Sequence, residues 1–191
     1  MTDAGLKSLL GFLLRNKDTA ISLLDNFKPE DVEKGLLAIP ENLINRDIKM
    51  LIMDQAGEYL NDYTLRFSQN AIFADLDVNG KQLGRLKAKF MLTVEQFDFH
   101  DQVHKIRFSY REDVKSEGNF MQAMAVKAAA GLKGGYLQTA AEMMKLNFLA
   151  VDKESITVDL DALKFAKKIP PALNVGYVSS EDGILKLKFH I

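Results

Sequence analysis

Apolar positions along this 191-residue chain change period at Tyr63, and the change separates a helical lead from a β-rich body. Before it the spacing is helical. Leu6, Leu9, Leu10, Leu13 and Leu14 share one side of a helix, with Lys7 and Arg15 opposite. Asp18 is placed to cap a second short helix bearing Ile21 and Leu24. Pro29 suits the first turn of a third, where Glu30 and Asp31 complement the positive helix end. That helix should stop before Pro40, because the residue preceding a proline is biased out of helical geometry. A long amphipathic helix is then predicted from Leu43 to about Tyr59, with Leu43, Ile44, Ile48, Leu51, Ile52 and Ala56 as its stripe.

From Tyr63 the period is two. Tyr63, Leu65 and Phe67 alternate with polar neighbours, as do Ile72, Ala74, Leu76 and Val78, which run into Asn79-Gly80. That dipeptide predicts a type I′ turn. The returning strand turns Leu86, Ala88, Phe90, Leu92 and Val94 inward, and Arg85, Lys87, Lys89 and Thr93 outward. A turn near His100-Asp101 leads to Ile106, Phe108 and Tyr110. Helical spacing returns from Asn119 to Leu149, with a break expected at Gly131, Gly134 and Gly135. Ile156, Val158 and Leu160 make a further strand, and Leu163, Phe165 and Ala166 a short helix ending before Pro170-Pro171. A closing hairpin pairs Leu173, Val175 and Tyr177 with Leu185, Leu187, Phe189 and Ile191 across Glu181-Asp182-Gly183. The expected class is α+β: a curved antiparallel meander wrapped around the Leu43–Tyr59 helix and packed on the Asn119–Leu149 helices. A division at Pro40 would separate a helical segment, 1–40, from an α+β body, 41–191.

Composition narrows the function. Hydrophobic residues make up 47% and charged residues 27%, a globular balance, and net charge is −1 with both signs mixed along the chain. No basic face is available to neutralise phosphates, so nucleic acid is not an expected partner. The chain has no cysteine, which removes disulfide scaffolds, thiolate nucleophiles and zinc ribbons. Leu9-Leu10-Gly11-Phe12-Leu13-Leu14 has the apolarity of a signal-peptide centre, but Asp3 precedes it and no small-residue cleavage site follows. A soluble, cytoplasmic protein is expected, or an exported one if a targeting segment has been removed.

Candidate chemistry is sparse. His100 and His104, four apart, lie around a β-turn near Glu95, Asp98, Asp101 and Glu112; an exposed turn and a surface metal site are the two readings. There is no Gly-x-Ser-x-Gly elbow, and Gly131-Leu132-Lys133-Gly134-Gly135 lacks the spacing of a phosphate loop. Asp75-Leu76-Asp77-Val78-Asn79-Gly80 has the opening of a calcium loop, but Leu86 stands where a glutamate is needed. No enzymatic activity and no cofactor are expected. Two features remain: eight methionines and twelve phenylalanines, soft apolar material suited to a core or to acyl chains, and the basic amphipathic N-terminal helix with Lys7, Arg15 and Lys17.

Ile44 to Leu60, then Ala71-Ile72-Phe73-Ala74-Asp75-Leu76, Gly84-Arg85-Leu86-Lys87-Ala88-Lys89-Phe90, and Ile169-Pro170-Pro171-Ala172-Leu173-Asn174-Val175 through Asp182-Gly183-Ile184-Leu185-Lys186-Leu187 follow one another in a telling order. In this it resembles the bacterial DUF2993 family, which includes the mannan-maturation LmeA-type proteins and is related to the tubular lipid-binding (TULIP) proteins. The resemblance implies a strongly curved sheet around a helix with an apolar lipid groove between them. It departs from the family in its helical lead and in lacking a readable export signal or lipid anchor. The expected function is non-enzymatic binding of a lipid or other apolar small molecule by Phe67, Leu76, Phe90, Leu92, Phe108 and Met144. The alternative is a structural or interaction module with a fully packed core, forming a homo-oligomer, docking on a partner or touching a membrane through its N-terminal helices.

Overall fold

The alternation that starts near Tyr63 builds an antiparallel sheet of six strands, and a smaller sheet of three joins the two ends of the described chain. The structure is a computed structural model and describes residues 34–47, 49–81, 84–100, 103–131, 135–163 and 174–190. Strand β1 (Leu36–Pro40), a wide helical turn (Leu43–Asp47) and helix α1 (Lys49–Ala56) precede the meander of β2 (Leu60–Ser68), β3 (Ala71–Asn79), β4 (Arg85–His100) and β5 (Val103–Ser116). Helices α2 (Phe120–Ala130) and α3 (Gly135–Met144) follow, then β6 (Leu149–Val151), β7 (Ser155–Asp159), a 3₁₀ turn (Leu160–Ala162) and the hairpin β8 (Asn174–Glu181) and β9 (Ile184–His190). The large sheet runs β2-β3-β4-β5-β7-β6 and the small one β1-β9-β8.

One device keeps the inner face apolar along the full sixteen residues of β4. Leu86, Ala88, Phe90, Leu92 and Val94 are inward, so strict alternation would next turn Gln96 and Asp98 inward. Instead Val94 pairs with Phe108 and Gln96 with Arg107, leaving Glu95 as the extra residue of a β-bulge. The bulge shifts the phase by one. Phe97 then lies opposite Ile106 and Phe99 opposite His104, and both rings stay on the inner face. Helices α2 and α3 cover one end of that face. Val126, Tyr136 and Ala140 pack there with Ala74, Val78, Leu86, Ala88 and Phe90 in a buried cluster.

The free edge of β2 is satisfied group by group. Antiparallel pairing with β3 leaves the backbone of Tyr63, Leu65 and Phe67 pointing away from the sheet. Asn45 Nδ2 donates to Leu65 O at 2.7 Å, and Asn45 Oδ1 accepts from Leu65 N at 2.7 Å, so one amide side chain takes the place of a neighbouring strand. Lys49 Nζ donates to Tyr63 O at 2.9 Å, and Tyr63 N donates to Asp62 Oδ1 at 2.9 Å. Phe67 N donates to Glu41, and Gly183 N donates to Phe67 O at 3.0 Å. The Tyr63 hydroxyl donates to Ile44 O at 2.7 Å. At the same corner Asn70 N donates to Ser180 O at 3.0 Å, fastening the β8–β9 hairpin to the β2–β3 turn.

Several expectations change. The described helices are short, and the long Leu43–Tyr59 helix is not among them. Asn45, the Ile44 carbonyl and Lys49 are all engaged by β2, and α1 has eight residues. This segment lies along the edge of β2, and the helices seen against the inner face are α2 and α3. Leu36–Pro40, expected at the end of a helix, is a strand paired with β9 from Leu36↔Lys188 to Pro40↔Ile184. A short run such as Leu36-Leu37-Ala38-Ile39 fits either period, and pairing decides it. Pro40 is tolerated because β1 is an edge strand. Asn79-Gly80 is not a two-residue turn: Gly80 N donates to Gly84 O at 2.8 Å across a longer loop, and positive φ falls on Lys81 and Gly84. Leu149, expected in a helix, begins β6. The helices expected before residue 34 and the one containing Phe165 and Ala166 lie outside the described residues.

Replacing Asn45 by alanine removes both partners of Leu65 and reopens the β2 edge. The expected loss is about 1–3 kcal/mol in urea unfolding, with concentration-dependent self-association on size exclusion. A change within about 0.5 kcal/mol and a strictly monomeric variant would contradict this account of the edge.

Candidate functional site

The inner face has two halves of the same chemistry and different closure. Register places Phe67, Ile72, Leu92 and Tyr110 in one row across β2 to β5, and Leu76 with Ala88 in another. Towards α2 and α3 the face is sealed, and Phe90 sits in the buried cluster with Leu76 packed against it. Phe67 is also buried. Beyond the Phe90–Tyr110 ring contact, at 6.5 Å, the apolar face continues, half-buried along β4 and β5 as far as the buried His104, and buried at Ile156 of β7. Leu92, Val94, Phe97, Phe99, Ile106 and Phe108 line this distal half, and Val158 extends it onto β7. Tyr177 of β8 reaches its margin, with its ring 6.3 Å from that of Phe97.

Thus, of the residues expected to bind an apolar ligand, Leu92 and Phe108 belong to the half-buried distal face. Leu76 and Phe90 belong to the sealed end, and Phe67 is buried in the same row as Leu92. Met144 ends α3; its side chain lies outside the described residues.

Two ionisable side chains interrupt the inner face of β5, and both follow from its phase, since His104 and Glu112 are inward positions there. Glu112 caps α3: its Oε1 accepts from Tyr136 N at 2.6 Å and its Oε2 from Leu137 N at 2.9 Å, where the helix end is positive. Gly135 makes this possible. Its φ is +69°, in the left-handed region, and a Cβ there would collide with Glu112 Oε1. Burial, then the Glu112 charge, pushes the Tyr136 hydroxyl up to about 12.

His104 is only 5% exposed. Its Nδ1 lies 2.6 Å from Asp161 Oδ1, and its backbone N–H donates to Asp161 Oδ2 at 2.9 Å. The hydrogen bond from the His104 ring holds Asp161 below the usual carboxylate range. The Phe99 ring meets His104 edge-on at 4.5 Å. His104 Nε2, on the far side of the ring from Asp161, is buried with no hydrogen-bond partner among the described residues. Asp161 was not legible as its partner, being 57 positions away.

The outer face carries charges in cross-strand pairs. Asp77, opposite Lys87, is buried although it faces outward, because Arg85, Lys87 and Asn61 all bond it. Asp75 pairs with Arg66 at 3.1 Å. These acids form a salt-bridged hairpin surface, and no calcium loop. His100 follows the bulge and is outward whereas His104 is inward, so the sheet separates the two histidines and they cannot share a metal. Among the described residues no group of acids and histidines is arranged to hold a metal ion, and no helix is long and apolar enough to cross a membrane.

No protein family, no curated protein and no solved structure matches this chain.

Hydrogen bonds from Arg85, then Lys87 and Asn61, hold the Asp77 carboxyl far below its ordinary value of 3.8. A carboxyl depressed by folding stabilises fully above its unfolded pKa, and that contribution is lost as pH falls through the folded value. The stability gap between the native chain and Asp77→Asn should therefore be constant above about pH 5 and narrow progressively below about pH 4. A gap independent of pH down to about 2 would remove Asp77 from this role.

Proposed function

We propose that this chain is a non-enzymatic binder of a lipid or similar apolar small molecule, held along the distal half of the inner sheet face. The observation that carries the reading is the mismatch between chemistry and closure there. A face kept apolar by a bulge at Glu95 extends past the sealed core as the half-buried row of Leu92, Val94, Phe97, Phe99, Ile106 and Phe108. Burying an acyl chain contributes about 0.8 kcal/mol per methylene, so about a dozen methylenes would supply some 10 kcal/mol before ordering costs. Soft apolar walls with few polar groups are what such ligands need. The sequence resemblance to DUF2993 and TULIP-type proteins points the same way.

A dansyl-labelled undecanoic acid tests it. The probe should bind saturably near one per chain, with a blue-shifted emission reversed by unlabelled palmitate. Phe108→Asp should weaken binding at least tenfold while leaving the circular dichroism and the unfolding midpoint close to native. Absence of saturable binding, or equal binding by Phe108→Asp, would reject the reading.

A second reading, docking on a protein partner or a second copy, has its own observation. Helix α2 exposes Phe120, Met121 and Met124, at 76%, 73% and 54%. An outward apolar stripe of this kind is more than scattered surface residues require. Sedimentation of the native chain against a Phe120→Ser, Met121→Ser, Met124→Ser variant should then reveal an oligomer that the variant lacks; a native monomer at every concentration would dismiss self-association through α2.

A further inference from the structure

The distal half of the inner face ends at His104, and the state of that ring narrows what could lie against it. Asp161 accepts from the His104 backbone N–H through Oδ2, which places its Oδ1 against ring Nδ1. With Asp161 Oδ1 2.6 Å away as its acceptor, Nδ1 carries the proton in the neutral tautomer of the ring. Nε2 is then a lone-pair acceptor, and it is buried beside Phe99 without a partner among the described residues. A buried acceptor of this kind calls for an explanation, since such atoms are nearly always satisfied. On β5 it follows Phe108 and Ile106 on the same face, so the apolar row and the acceptor are collinear.

We infer that His104 Nε2 receives the acidic O–H of a long-chain fatty acid whose alkyl chain lies along Ile106, Phe108 and Leu92. This rests on the apolar-ligand reading and adds a head-group chemistry to it. The proton either stays on the carboxyl oxygen or moves to Nε2; in both cases one hydrogen joins the two groups and no atom is gained or lost. In the second case Asp161 supports the imidazolium from behind. An ester has no such hydrogen to donate, and a triacylglycerol or a wax would forfeit the contact.

The test compares palmitate with methyl palmitate as competitors of the dansyl probe, on the full chain. Palmitate should bind at least tenfold more tightly. In His104→Asn the side-chain amide can still donate to Asp161 while Nε2 is gone. Palmitate should fall to the level of the ester, the ester should be unchanged, and the carbon-13 resonance of carboxyl-labelled palmitate should move towards its position in water. Equal binding of acid and ester by the native chain overturns the assignment without recourse to any variant. So does a His104→Asn protein that keeps the preference. If neither competitor displaces the probe while the probe binds, the head-group assignment falls and the apolar reading stands on the probe alone. If the probe does not bind either, both fall together.

Discussion

Side chains on a strand alternate between two faces, and a slip of one residue sends an entire apolar set to the wrong side. In this protein that constraint acts over the long β4–β5 hairpin. Gln96 and Asp98 would enter the inner face if the alternation set by Leu86 to Val94 ran on. The single extra residue, Glu95, keeps Phe97 and Phe99 there instead. Bulges bend a strand and increase its twist as well as changing its phase. The same residue thus extends the apolar face beyond the part that α2 and α3 cover.

The edge of the sheet is handled by side chains. Six outward backbone groups on β2, from Tyr63, Leu65 and Phe67, are met by Asn45, Lys49, Glu41, Asp62 and the Gly183 amide. An unpaired edge would invite another chain to add to the sheet. Meeting it this way draws the wide turn at Leu43–Asp47 and the closing hairpin to one corner. Elsewhere the edge defence is charge: Arg111, Asp113 and Lys115 stand exposed on β5 beyond its pairing with β7.

Much of the meander was legible because alternation over four strands is a strong signal. The inward set from Tyr63 to Tyr110 follows from it, and the end of α2 at Ala130 was legible separately, from the glycines that follow. What was not legible depended on contacts distant in sequence. Leu36–Pro40 becomes a strand through Leu185 and Leu187, about 150 positions on. Asn45 gives no sign in its neighbours that it will stand in for a strand. Glu112 could have been found as a charged residue at an inward position between Tyr110 and Val114, and His104 likewise beside Ile106. Their partners, the Tyr136 and Leu137 amides and Asp161, could not. The candidate ligand residues divided for the same reason: periodicity places Phe90 and Phe108 on one face, and only packing separates the sealed half from the half-buried one.

The proposed binding depends on that separation, and the most direct measurement reads it residue by residue. Methyl-labelled protein titrated with a nitroxide-bearing stearic acid should lose signal first at Leu92, Val94 and Ile106, saturably, while Leu86 and Val126 in the sealed end persist. Broadening confined to Met121 and Met124 on α2, or spread evenly without saturation, would contradict it.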